Sequence, residues 1–129
     1  MLGHAVRFGH LTGIEVLAAG EGIETMLSLR CVLPAMPMAA ALSAGHLAAL
    51  LLPAGLRRLY IARDADAAGD RAAASLTERA IAAGIEALVL TPRLGDFNDD
   101  LRELGMAELR TNLRGQIAPE DVARCMIYD

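Results

Sequence analysis

The sequence predicts an α/β domain with a four-stranded, mainly parallel sheet flanked by helices. Three observations predict it. Short apolar runs alternate with segments whose apolar residues recur at helical spacing. Hydrophobic residues make up 54% of the chain and aromatics only 3%, so the core is aliphatic, as in strands buried on both faces. The length, 129 residues, suits one compact domain with a core of its own rather than two.

The elements follow in order. Ile14–Ala19 is an apolar run and the first strand; Ile23, Met26, Leu27 and Cys31 then recur at helical spacing. Met38–Ser43 is a second run, closed by Ala44-Gly45. His46–Leu52 reads as a short, almost wholly apolar helix stopped by Pro53. Arg58–Ala62, "RLYIA", is the third strand. The loop "RDADAAGD" leads into a long helix with Ala73, Leu76, Ala80 and Ala83 on one face. Gly84 stops that helix, and Ile85–Leu90, "IEALVL", is the fourth strand. After Pro92 come "GDFNDDL" and helical turns around Leu101–Leu104 and Leu109–Leu113, then a tail with Ile117, Val122 and Met126. Strands alternating with helices make βαβ units in one sheet. Residues 1–13 read as an edge segment or boundary, 14–114 as the domain proper and 115–129 as the tail.

Charge narrows the chemistry. The net charge is −4, which excludes a basic, sequence-independent DNA clamp. All twelve cationic residues are arginine, which excludes a Walker A lysine, a Schiff-base lysine and a receiver-type lysine. What remains are guanidinium forks suited to phosphate or carboxylate. Cys31 and Cys125 lack CxxC spacing, and no charged segment followed by an apolar one opens the chain; a reduced, cytoplasmic protein is expected. Val32–Leu56 carries no formal charge and is long enough to span a bilayer. Pro34, Pro37, Pro53 and Gly45-His46 would break a helix there, so a buried strand followed by a buried helix is the better reading and no membrane partner is expected.

On such sheets ligands sit at the carboxyl ends of the strands. Four carboxylates fall there: Glu21 after the first strand, Asp64 and Asp66 after the third, Asp96 after the fourth. Around Glu21 the chain reads "AAGEGIET". This has two glycines of a dinucleotide-binding loop, but Thr25 replaces the third small residue, no acidic residue follows about twenty positions on, and Glu21 would face the pyrophosphate. Alternatively, Gly20 and Gly22 merely permit a turn, with Glu21 favourable near a helix N-terminus. In "DADAAGD", a calcium loop starting at Asp64 would need an oxygen ligand at Ala68 and a glutamate at Ser75. Capping of the following helix accounts for Asp66. It does not account for Asp64, which ends an apolar strand beside like charges; close carboxylates stay ionised cheaply only with a cation. Mg²⁺ fits, because it takes one or two carboxylates and otherwise water and substrate phosphates; Mn²⁺ is the alternative. Glu21 then completes the ion's surroundings or acts as general acid or base.

The ordered set "EG", "DADAAGDRAA" and "GDFND", spread over about Ile14–Gly105, resembles a Toprim domain, the catalytic module of primases, topoisomerases and OLD-type nucleases. "EGIETMLSL" with "GDFNDDL" is similar to Toprim modules of multidomain primase-like proteins from phages and mobile elements. The resemblance implies that Glu21 is the acid/base glutamate, that Asp64 and Asp66 are a Mg²⁺-binding pair, and that Asp96 matches a later acidic position. It implies DNA or RNA and nucleotides as partners, with further domains of a primase or helicase protein beside it. Three departures stand out: Thr25 where primases often carry an acid, Gly95 in place of lysine, and Asn98 in place of an acid. Arg63 and Arg71 flank the loop and are candidates to grip phosphates; for Arg71 a helix-surface role competes. Tyr60, read as buried, and Tyr128, in the tail, are poor nucleophiles for a topoisomerase. His4, His10 and His46 are isolated.

Overall fold

The computed structural model describes residues 5–8 and 14–126. Its strands are β1 (Val6–Phe8), β2 (Val16–Gly20), β3 (Met38–Ala40), β4 (Arg58–Ala62) and β5 (Glu86–Leu90). Its helices are α1 (Ile23–Val32), α2 (Ala44–Ala48), α3 (Ala67–Ala82), α4 (Phe97–Leu104), α5 (Met106–Arg114) and α6 (Pro119–Cys125). The sheet order is β1-β3-β2-β4-β5, parallel throughout except for β1, which runs antiparallel along β3. The mainly parallel α/β architecture expected from the alternation is therefore present. It carries one strand more than the four read from the apolar runs, because Val6–Phe8 is too short and too exposed to stand out as a run.

Period-two alternation sorts the strand residues between two cores. Val16, Ala18, Tyr60 and Ala62 face one way and meet Met26, Leu29 and Val32 of α1, Phe97 of α4, Leu109 and Leu113 of α5, and Ile117, Val122, Cys125 and Met126. Leu17, Ala19, Leu59 and Ile61 face the other way onto Leu47, Leu50, Ala72, Ala73, Leu76 and Ala80 of the α2–α3 side. Both faces of the central strands are covered, which is why their sequences read as unbroken apolar runs.

The uncharged stretch from Val32 to Leu56 divides between the end of α1, β3 and α2, and among the described residues no helix is long and apolar enough to cross a membrane. Two boundaries differ from the expected ones. The run Met38–Ser43 is strand only to Ala40, because Leu42 turns into the left-handed region at φ 80°. The short helix begins at Ala44 rather than His46, because the Ser43 side chain accepts from the His46 N–H at 3.0 Å. It ends at Ala48, where the Arg79 guanidinium donates to the carbonyl oxygens of Ala48 and Leu50 at 2.7 and 2.8 Å.

Candidate metal centre

The strand register levels the carboxyl ends of the sheet. Gly20 of β2 pairs with Ala40 of β3 and with Ala62 of β4, and Ala62 pairs with Leu90 of β5. The chain leaving β2 enters α1 on one face of the sheet, while the chain leaving β4 enters α3 on the other. A crevice between β2 and β4 results, the place where ligands settle on open α/β sheets. Glu21 follows β2 and Asp64 follows β4, and their side chains meet there.

Backbone bonds hold the three loops in place. The Leu42 N–H donates to Glu21 O at 2.7 Å, Arg63 N–H to Leu90 O at 3.1 Å, and Ala65 N–H to Gly95 O at 2.8 Å. The last of these joins the "DADAAGD" loop to the "GDFND" loop. Gly69 allows α3 to begin against Asp64: a Cβ there would stand 2.4 Å from the Asp64 carbonyl oxygen, closer than real side chains approach.

The four expected carboxylates follow the strands at this edge, and Glu21, Asp96 and Asp66 each act electrostatically on Asp64. Burial first, then Glu21, Asp96 and Asp66 in that order, raise the Asp64 carboxyl from 3.8 to about 6; Glu21 is close enough to share its proton. Asp64 Oδ1 is buried and has no hydrogen-bond partner. Such an oxygen is costly unless something binds it. Asp66 and Asp96 have second duties. Asp66 Oδ1 accepts from the Gly69 N–H at 2.6 Å and caps α3; Asp96 Oδ1 accepts from the Asp99 N–H at 2.7 Å and caps α4. The capping reading of Asp66 is thus correct and compatible with a place in the cluster, since each cap leaves one carboxylate oxygen over. Among the described residues no three His, Cys, Asp or Glu side chains converge as a ready-made metal cage. The donor set fits an ion that takes one or two carboxylates and fills its shell with water and phosphate oxygens, as Mg²⁺ does.

The two arginines differ. Arg63 is partly buried and ion-paired with Asp70 of α3. Arg71 lies exposed on α3, facing a shallow groove lined by Ala44, Gly45, Ala48 and Ser75. Thr25, where an acid was the alternative, is 4% exposed and belongs to the core side of α1. Asn98 ties α4 to α1: its Nδ2 donates to Glu24 Oε2 at 3.2 Å, and its Oδ1 accepts from Ser28 Oγ at 3.3 Å. His46 is exposed on α2, away from the carboxylates in sequence and element; His4, His10 and Tyr128 lie outside the described residues.

A second polar cluster sits at the opposite end of β4, where sequence spacing gave no hint of one. Arg58 donates to Asp121 at 2.7 Å, Glu120 at 2.8 Å and Glu86 at 2.9 Å. Buried Tyr60 donates to the same Asp121 oxygen at 2.5 Å and accepts from the Ala118 N–H at 3.0 Å. The hydrogen bond to Asp121, then that to Glu86, raises the Arg58 guanidinium; burial, then the bond to Asp121, raises the Tyr60 phenol. These bonds fasten α6 to the sheet.

Fold and rim together define an α/β domain that gathers acidic side chains at the carboxyl end of a parallel sheet. Over residues 16–107 the chain matches the model of the Toprim domain, and it belongs to that family. Toprim domains generally bind Mg²⁺ through acidic residues and serve metal-dependent functions on nucleic acid. The comparisons with curated proteins and with solved structures each return no match.

Proposed function

We propose that this chain is a Mg²⁺-dependent phosphotransfer module acting on nucleotides or nucleic acid, the Toprim part of a primase-like protein of the kind carried by phages and mobile elements. The observation behind it is the buried, unpartnered Asp64 Oδ1 with three further carboxylates around it. Asp64 and Asp66 would hold the ion, with Glu21 and Asp96 at its border and Mn²⁺ as a working substitute. When bound, Mg²⁺ neutralises phosphate charge. Glu21, beside Asp64, accepts the proton of the attacking hydroxyl. Arg71 would grip a phosphate from the α3 side, and Arg63 would join it once Asp70 is displaced. DNA or RNA and nucleotides are the partners, other domains of a primase or helicase protein supply the rest of the track, and the setting is cytoplasmic.

The test is primer synthesis on single-stranded template with Mg²⁺, comparing wild type with Glu21→Gln. Product from wild type and none from the variant supports the reading; equal product from both refutes the role of Glu21. A second reading draws on Thr25 and Gly95, which stand where primases often carry an acid and a lysine: a module that binds nucleic acid through the metal but turns nothing over. Mg²⁺-dependent binding with no product in any assay supports that one. Nicking of plasmid DNA that is lost in Glu21→Gln points to hydrolysis by the same residues with water as the nucleophile.

A further inference from the structure

Asp100 is a carboxylate that the metal reading leaves unused, and it is more deeply buried than any of the four in the cluster, at 1% exposure. It lies in the first turn of α4, and each of its oxygens takes a different backbone donor. Oδ2 accepts from the Arg93 N–H and Oδ1 from the Leu94 N–H, both at 2.8 Å. Bonds from a buried carboxylate to backbone N–H groups are among the stronger protein hydrogen bonds. The pair closes the segment after Pro92 into a rigid loop folded back on its own helix. The next residue in that loop is Gly95, whose carbonyl oxygen accepts from the Ala65 N–H at 2.8 Å, between Asp64 and Asp66. The residue after that is Asp96. One side chain therefore holds, through two consecutive amides, the loop that carries Asp96 and the bond that locks it to the loop carrying Asp64 and Asp66.

We propose that Asp100 is a positioning residue for the acidic site: it fixes the distance between the Asp96 loop and the Asp64–Asp66 loop without touching the ion or substrate itself. The proposal rests on the metal reading for its functional meaning, but its geometric content stands apart from it. Asn at position 100 keeps the shape and one acceptor, and turns the other oxygen into a donor that faces an N–H. Ala65 is then released because its acceptor, Gly95, moves with the loop. A general loss of stability would not single out that amide.

The experiment compares wild type, Asp100→Asn and Asp121→Asn. Asp121 is equally buried, 0% exposed, but belongs to the cluster at the other end of the sheet, so it controls for the loss of any buried carboxylate. The first readout is native-state hydrogen exchange of the Ala65, Arg93 and Leu94 amides, with no metal present. In Asp100→Asn the Ala65 amide is expected to exchange about tenfold faster or more, while in Asp121→Asn it keeps its wild-type protection relative to the rest of the sheet. Unchanged Ala65 exchange in folded Asp100→Asn overturns the proposal. Should that variant not fold, wild type alone decides: slow exchange at all three amides supports the clamp, and exchange at Arg93 and Leu94 as fast as in an exposed turn overturns it. The second readout is Mn²⁺ affinity, expected to fall about tenfold or more in Asp100→Asn and to stay within about twofold in Asp121→Asn. Wild type that binds no Mn²⁺ refutes the metal reading of the preceding section and leaves the exchange result to judge the positioning role.

Discussion

Replacing Asp64 by Asn should make the apo protein more stable near neutral pH, against the usual direction for a change at a structured site. The Asp64 carboxyl is raised from 3.8 to about 6, first by burial and then by Glu21. The folded state therefore holds the proton more tightly than the unfolded chain. Its contribution is fully present below about pH 3.8 and is lost as pH rises through about 6. A gap of about two pH units corresponds to about 3 kcal/mol, and the partial exposure of Asp64 makes that an upper value. Asn carries no charge, so the variant escapes the loss. The assay is urea unfolding in EDTA from pH 4 to pH 8 on both proteins, with the difference isolating this one group. The stability of wild type relative to Asp64→Asn should fall by about 1–3 kcal/mol between pH 4 and pH 7.5, and millimolar Mg²⁺ should restore it in wild type alone. A flat difference across that range, or a variant less stable than wild type at pH 7.5, would refute the claim that Asp64 is held in an unsatisfied anionic cluster.

Three other outcomes follow from the same geometry. Asp66→Asn keeps an N-cap and should leave stability within about 0.5 kcal/mol, whereas Asp66→Ala removes the cap and should cost about 1 kcal/mol; both should weaken Mn²⁺ binding, as followed by calorimetry. Gly69→Ala places a Cβ against the Asp64 carbonyl oxygen and should cost about 2 kcal/mol or more in urea unfolding, with weakened Mn²⁺ binding because Asp64 has moved. Tyr60→Phe deletes the bonds to Asp121 and Ala118 and should lower stability by about 1–3 kcal/mol while leaving Mn²⁺ affinity unchanged; a parallel loss of affinity would show that the two ends of β4 are coupled.

What the sequence disclosed and what it hid divide along the range of the interactions. The strands β2, β4 and β5 and the placing of four acids after them were legible because apolar runs, glycines and helix caps act over a few residues. Asp66 is an example: its cap on Gly69 is three residues long. Asp100 was not legible, since "GDFNDDL" offers three chemically equal aspartates within five residues, and only the fold decides that one turns inward to Arg93 and Leu94. Asn98 looked like a lost acidic site. Its contacts with Glu24 and Ser28 span 74 and 70 residues, a separation at which no local spacing survives. The same holds for Asp121, whose partners Arg58 and Tyr60 are 63 and 61 residues away. Val6–Phe8 was legible only as part of an edge segment and not as a strand, because a three-residue edge strand gains its identity from its neighbour β3 rather than from its own pattern.

The Arg58–Tyr60–Asp121 fastening has a practical corollary. The family match stops at residue 107, yet Leu109, Leu113, Ile117, Val122, Cys125 and Met126 all sit in the core against α1 and the sheet. A polypeptide cut to the matched segment would leave a guanidinium and a phenol stranded at the floor of β4, above a bare aliphatic hollow. Anyone trimming this domain for crystals or for fusion to another protein should keep the last helix, because the acidic rim stands on a foundation that the family signature does not include.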